Sequence, residues 1–167
     1  MDTRAILGID VLMSFVSSIV IAKIFVWPWL RMMIRKDSLI KLVAPHMFFR
    51  FIGLSFIIPG VVSSLLPSAF AVPAAYGDLI AGILAVIATI GLAKRTTWAI
   101  IVVWIFNTWG AGDLLFAFYQ GARLQVDAKS LGATFFIVTA IVPPLLVTHF
   151  LIFRILVLKN NNNKHLV

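Results

Sequence analysis

Apolar residues dominate the chain in five long runs, each carrying only a few polar or charged positions. An α-helix needs about 20 apolar residues to cross a hydrocarbon core. Residues 5–27, 46–66, 74–92, 98–119 and 131–158 meet that length. The pattern predicts an all-α fold, a five-helix transmembrane bundle spanning residues 1–158 as a single domain. Residues 159–167, with four consecutive asparagines, read as a disordered tail. Trp27-Pro28-Trp29 is expected to close the first span, which is too long for a signal-peptide core and reads as retained. Arg31 to Pro45 alternates basic and apolar residues, as in a surface segment or basic loop with Ser38 as a cap. Pro67 to Tyr76 reads as a short uncharged loop. Pro59 is expected to kink span two, and Pro143-Pro144 to interrupt span five.

The polar positions inside the runs are ordered. On a helical wheel Asn107, Gly110, Asp113, Ala117 and Gln120 fall within an arc of about 140°. An aspartate at the bilayer centre costs about 3 kcal/mol, so this arc is expected to face other helices. Asp78, Gly82, Ala85 and Thr89 form a small-residue stripe on span three. Asp10, Ser14 and Ser17 share a face of span one, and His46, Arg50, Gly53, Gly60 and Ser64 a stripe of span two.

Counted from the span ends, Asp10, Asp78 and Asp113 lie at one depth, roughly 6–9 Å below the outer boundary. Carboxylates brought together repel unless protonated, paired or holding a cation. The expectation is an outward-opening pocket of Asp10, Asp78, Asp113 and Gln120 with Asn107 at its floor, binding a cation, a proton or a small polar solute. Arg4 and Arg123 are the nearby basic candidates. The competing reading is architectural, each aspartate capping its own helix or bonding a neighbour. A second group, His46, Arg50, His149 and Arg154, falls in the inner half. Its histidines could ligate haem iron, or its charges hold a quinone or an anionic lipid. His149 also shares its face with Phe135, Val142, Leu145, Ile152 and Phe153, which favours plain packing.

Composition narrows the chemistry. At 62% hydrophobic and 12% charged, the 167 residues have the composition of an integral membrane protein. With no cysteine, disulfides, iron–sulfur clusters and thiolate metal sites are excluded. The net charge of +8 lies between the spans, so it points to topology and not to nucleic acid. Arg31, Arg35, Lys36, Lys41, Lys94, Arg95, Lys159 and Lys164 fall on one side, and Arg4, Arg123 and Lys129 on the other. That asymmetry predicts an outside N-terminus and a cytoplasmic C-terminus. No phosphate-binding loop, nucleophile elbow or zinc-protease motif is present, no resident cofactor is expected, and the metal question stays open. The partners expected are the lipid bilayer and a small cation or polar solute, with a homo-oligomer left open.

Pro73 to Thr97, containing GDLIAGILAVIATIGLAKR, resembles the DoxX-like family of small bacterial membrane proteins. That family implies a four-helix integral membrane fold, with several members linked to redox metabolism. The resemblance covers about one helix and its basic stop, and this chain departs from it by a fifth span. The chain as a whole looks like a small bacterial inner-membrane protein. Three functions stay open: a binding or transport protein using the outer carboxylates, a redox- or lipid-associated accessory protein using the inner histidines and arginines, and a structural subunit of a larger membrane complex.

Overall fold

The computed structural model describes residues 2–161. Asp2 caps the first helix, its side chain accepting from the Arg4 backbone N–H. Helix α1, Thr3–Ile21, continues through a π turn, Ala22–Val26, into α2, Trp27–Arg31. Pro28 therefore does not end the span. Its ring would strike the carbonyl four residues earlier, and the wider π turn just upstream absorbs the misfit. The same device recurs in the last span, where the π turn Ile137–Ile141 precedes Pro143-Pro144 and α7, Val142–Asn161, continues. Of the tail expected to be disordered, residues 159–161 belong to α7, which reaches Asn161; residues 162–167 lie outside those described.

The second span differs most from expectation. Residues 35–45 are not a surface segment: α3 runs Arg35–Phe49 with Pro45 inside it, followed by a 3-10 stretch, Phe51–Ile57. Ser38, Leu39, Leu42 and Val43 are buried. The basic residues at its start serve neighbouring helix ends. Arg35 Nη2 donates to Leu156 O at 2.8 Å and Lys36 Nζ to Arg95 O at 2.9 Å. Carbonyls near helix C-termini attract cations, so this charge is placed, not merely solvated. The helix stops at Ile57, short of residue 66, and residues 58–67 form an irregular loop paired with the 130–133 turn. There Ser63 N donates to Ser130 O, and Ala133 N to Val61 O. Gly132, at φ 56°, permits that pairing, since a Cβ would sit 2.6 Å from Val61 O.

Helix α4, Ser68–Ala93, begins six residues before the expected start and contains Pro73. The proline has no N–H to offer Ala69 O, and Gln120 Nε2 approaches that carbonyl instead at 3.5 Å. A short turn leads to α5, Ala99–Arg123, and a capping box of Asp127 and Ser130 starts α6, Ala128–Leu131.

Five helical stretches are long and apolar enough to cross a membrane: Thr3–Arg31, Arg35–Ile57, Ser68–Ala93, Ala99–Arg123 and Ile137–Leu158. The described residues contain no β-strand, so the fold is an all-α bundle. Helix α4 lies at its centre against α5, α3 and the 3-10 stretch. Its small residues allow the approach, with Ala81, Ala85 and Ala88 fully buried. Two apolar clusters form, one around Leu39, Leu92, Val103 and Ile152, the other around Phe56, Phe70, Leu114 and Leu131. A polar layer separates them. Helix α1 has no buried residue and turns Leu12, Met13, Val16 and Ile19 outwards, so it is a peripheral wall.

That wall is tied at its N-terminal end. Thr3 Oγ1 donates to Asp127 Oδ2 at 2.9 Å, and Arg4 Nη2 to Gln125 Oε1 at 3.1 Å. The Ser130 backbone N–H, then the Thr3 and Ser130 hydroxyls, hold the Asp127 carboxyl below the usual carboxylate range. A carboxylate with a depressed folded-state pKa stabilises above its unfolded value and loses that contribution as pH falls through the folded one. The protection factors of the Ser130 and Leu131 amides, the exchange rate relative to that of the unfolded chain at the same pH, are therefore expected to be high at neutral pH and to fall on acidification below the normal aspartate range of about 4. Asp127→Asn should flatten that dependence.

Candidate functional site

The polar layer is organised by Arg50. The α-helix passes into the 3-10 stretch at this residue, which follows α3 directly and is 0% exposed. Its depth comes from the true helix start: Arg50 is fifteen residues beyond Arg35 (50 − 35), about 22 Å of rise. Asp78 is ten residues into α4 (78 − 68) and Asp113 ten from the end of α5 (123 − 113), each about 15 Å from the same face. The three charges share one level, deeper than the expected 6–9 Å.

Nη1 of Arg50 donates to Asp78 Oδ1 and, at 2.9 Å, to Asp113 Oδ2. Nη2 donates to Gly110 O at 2.8 Å and to His149 Nε2 at 2.9 Å. Only its Nε lacks a partner. Because His149 Nε2 accepts, the ring proton is on Nδ1, which donates to Asn107 Oδ1 at 2.7 Å. Asn107 Nδ2 donates in turn to His149 O at 3.1 Å. Next to this, His46 Nε2 meets Thr148 Oγ1 at 2.8 Å. That hydroxyl donates to Leu145 O, so it accepts from His46. Glycines make the room. A Cβ on Gly53 would collide with the Asp78 carboxylate, one on Gly77 with that of Asp113, and one on Gly110 with His149. Trp109 Nε1 donates to Gly77 O at 3.3 Å and pins α4 beside Asp113.

A cavity of about 540 Å³ opens above the carboxylates. Leu7, Gly8 and Val11 of α1 form one wall, Phe56, Phe70 and Ala74 another, and Leu114, Ala117 and Phe118 a third. Arg4 and Gln125 stand at the rim, Asp78 and Asp113 at the floor, and Arg50 behind them, outside the lining. A second hollow of about 870 Å³ lies on the outside of α4 and α5 among Tyr76, Trp104, Trp109 and Phe116, and also touches Asp113.

The structure redraws the expected groups. Asp78 and Asp113 meet, through Arg50 and not through Arg4 or Arg123. Asp10 does not join them. The α1 face on the cavity is Arg4, Leu7, Gly8 and Val11, and Asp10 lies off it, part-exposed, with no hydrogen bond or ion pair among the described residues. Asn107 is not the pocket floor but the fully buried clamp on His149. Gln120 serves the Pro73 gap instead of the pocket. Of the inner group, His46, Arg50 and His149 adjoin, whereas Arg154 is exposed and stacks on Trp27 at 3.9 Å. The histidine rings sit 4.5 Å apart with Phe106 against both, which leaves no slot between them for a porphyrin. As they stand, the two imidazoles do not fit haem. Among the described residues no cluster of three or more histidines or acids could hold a metal ion.

The reading of His149 as plain packing is also corrected. Replacing it with phenylalanine leaves an Arg50 N–H and the Asn107 amide oxygen buried without partners. Each such loss costs about 1–3 kcal/mol. His149→Phe is expected to lower the unfolding midpoint of the purified protein clearly, while Phe150→Leu on the exposed face next to it leaves it unchanged.

Sequence reasoning missed the role of Arg50. The available signal was that Arg50 is a basic residue within an apolar span, and such a residue requires a partner in another span. No curated protein and no solved structure matches the chain. The family described as Domain of unknown function (DUF8737) matches residues 6–157, nearly the whole bundle and every residue of the Arg50 network, and the chain belongs to that family.

Proposed function

We propose that this is a small-solute binding protein of binding or transport type, integral to the bacterial inner membrane with its N-terminus outside. The cavity above Asp78 and Asp113 would take a cation, a proton or a small polar solute. One observation carries the reading. Two carboxylates share one guanidinium at the closed end of a cavity, and His149, held as an acceptor to Arg50, adds no charge. With both acids ionised the group has one negative charge in excess, and the cavity reaches the carboxylates without reaching the arginine. A bare excess charge in a low-dielectric layer is costly, so a proton or a cation at the floor is stabilising. The orientation rests on the excess of Lys and Arg at the opposite face.

The test is the thermal midpoint of purified protein across pH and across added sodium and ammonium chloride. Wild type is expected to depend on both, and Asp78→Asn and Asp113→Asn each to abolish the dependence. Variants that keep the wild-type dependence would assign the aspartates to architecture.

A further inference from the structure

We infer that the ligand of the cavity is an organic ammonium, an –NH₃⁺ head with an apolar body of several carbons, and not a bare inorganic cation. This rests on the proposed reading of the cavity as a binding site. The floor supplies the recognition of the head. Asp78, only 6% exposed, and Asp113 line the floor and each give one oxygen to Arg50; the other oxygens, Asp78 Oδ2 beside Gly53 and Asp113 Oδ1 beside Gly77, have no hydrogen bond among the described residues. An ammonium head at the floor neutralises the excess charge and has three donors for the carboxylate oxygens it reaches.

The walls decide against an inorganic ion. Hard cations require about six oxygen ligands, and among the described residues these two carboxylates are the only acidic groups lining the cavity, both already shared with Arg50. Above them the wall is Leu7, Val11, Phe56, Phe70, Leu114 and Phe118, which offers a cation no ligand but offers an alkyl or aryl body a dry surface. An anion is disfavoured because the carboxylates stand between the cavity and the guanidinium. Arg4 at the opening is exposed and occupied by Gln125, so it sits in screened water at the rim. At about 540 Å³ the cavity is in the range of small-molecule sites, far larger than a dehydrated metal ion needs.

The test uses full-length protein in nanodiscs, with intrinsic tryptophan fluorescence and the thermal midpoint as readouts. The probes are sodium chloride, ammonium chloride, the alkylammonium chlorides from ethyl to octyl, and the alcohol of each length as a control for partitioning into lipid. The Asp113-dependent part of alkylammonium binding is expected to tighten about three- to fourfold per added methylene until the cavity is filled, and the alcohols, which lack the charged head, are expected to show no dependence on Asp113. Asp113→Asn should weaken hexylammonium at least tenfold. Ala117→Phe, which fills the cavity and leaves every charge in place, should do the same, so the test stands even where the aspartate variant folds poorly. If sodium and ammonium act through Asp113 and chain length adds nothing to the Asp113-dependent binding, the ligand class is overturned and the cation-binding reading survives. If no cation, organic or inorganic, depends on Asp113 or on the cavity, both fall together.

Discussion

Arg50→Met is expected to be among the most destabilising substitutions in the chain, lowering stability by about 3–5 kcal/mol, the usual cost of leaving buried partners of an ion pair uncompensated. The arginine is 0% exposed and four of its five N–H groups are used, on two carboxylates, a backbone carbonyl and an imidazole. Methionine fills much of the volume and supplies none of these. Asp78 and Asp113 would then face each other with no counter-charge. Two controls separate charge from shape. Arg50→Lys keeps the charge but not the fork that reaches Gly110 O and His149 at once, so it should recover only part of the loss. Adding Asp78→Asn and Asp113→Asn to Arg50→Met removes the stranded charges and should also restore part of it. Unfolding of the purified variants, measured as one mutant cycle, reads all three.

Gly110→Ala should come next in effect, although alanine is the better helix former by about 1 kcal/mol. A Cβ there would lie 2.6 Å from His149 Cε1 and 3.0 Å from Arg50 Nη2. The ring cannot step aside, because Asn107 holds it at both Nδ1 and the backbone carbonyl. Overpacking of a tight interior costs about 1–3 kcal/mol, and here it also disturbs the bonds to Arg50. Gly112, two residues along the same helix, has open space where its Cβ would be. Gly112→Ala should be neutral or stabilising. Equal effects at the two positions would mean that helix propensity, not the network, governs α5.

The bundle was legible because five apolar runs of spanning length leave few alternatives, and the stripe from Asp78 to Thr89 is a packing face of α4 as its spacing implies. The site was legible in pieces and misassembled for one physical reason. Pro45 and Pro73 were read as boundaries, yet each lies inside a helix, with Gln120 answering the carbonyl that Pro73 leaves open. Starting span two at residue 46 instead of 35 shifts its depth by eleven residues, about 16 Å. That shift put Arg50 near the inner boundary and hid its match with Asp78 and Asp113. It also split one network into an outer acidic and an inner basic group. Asp10 failed differently: it lies one position short of Val11 on the face that α1 turns to the cavity, and no pattern within α1 marks which face that is. The pairing of Asn107 with His149 joins residues 42 apart in sequence through ring and amide geometry, which spacing alone does not encode.

The most direct test of the pocket is water access to its floor, and the absence of native cysteine makes it clean. Ala74 lines the cavity one turn above Asp78, whereas Ala85 is fully buried in the opposite apolar cluster. In intact cells a membrane-impermeant thiol reagent added outside is expected to modify Ala74→Cys and to leave Ala85→Cys untouched. Reaction of Ala74→Cys only from the cytoplasmic side of inverted vesicles, or of Ala85→Cys instead, would contradict an outward cavity ending on Asp78 and Asp113.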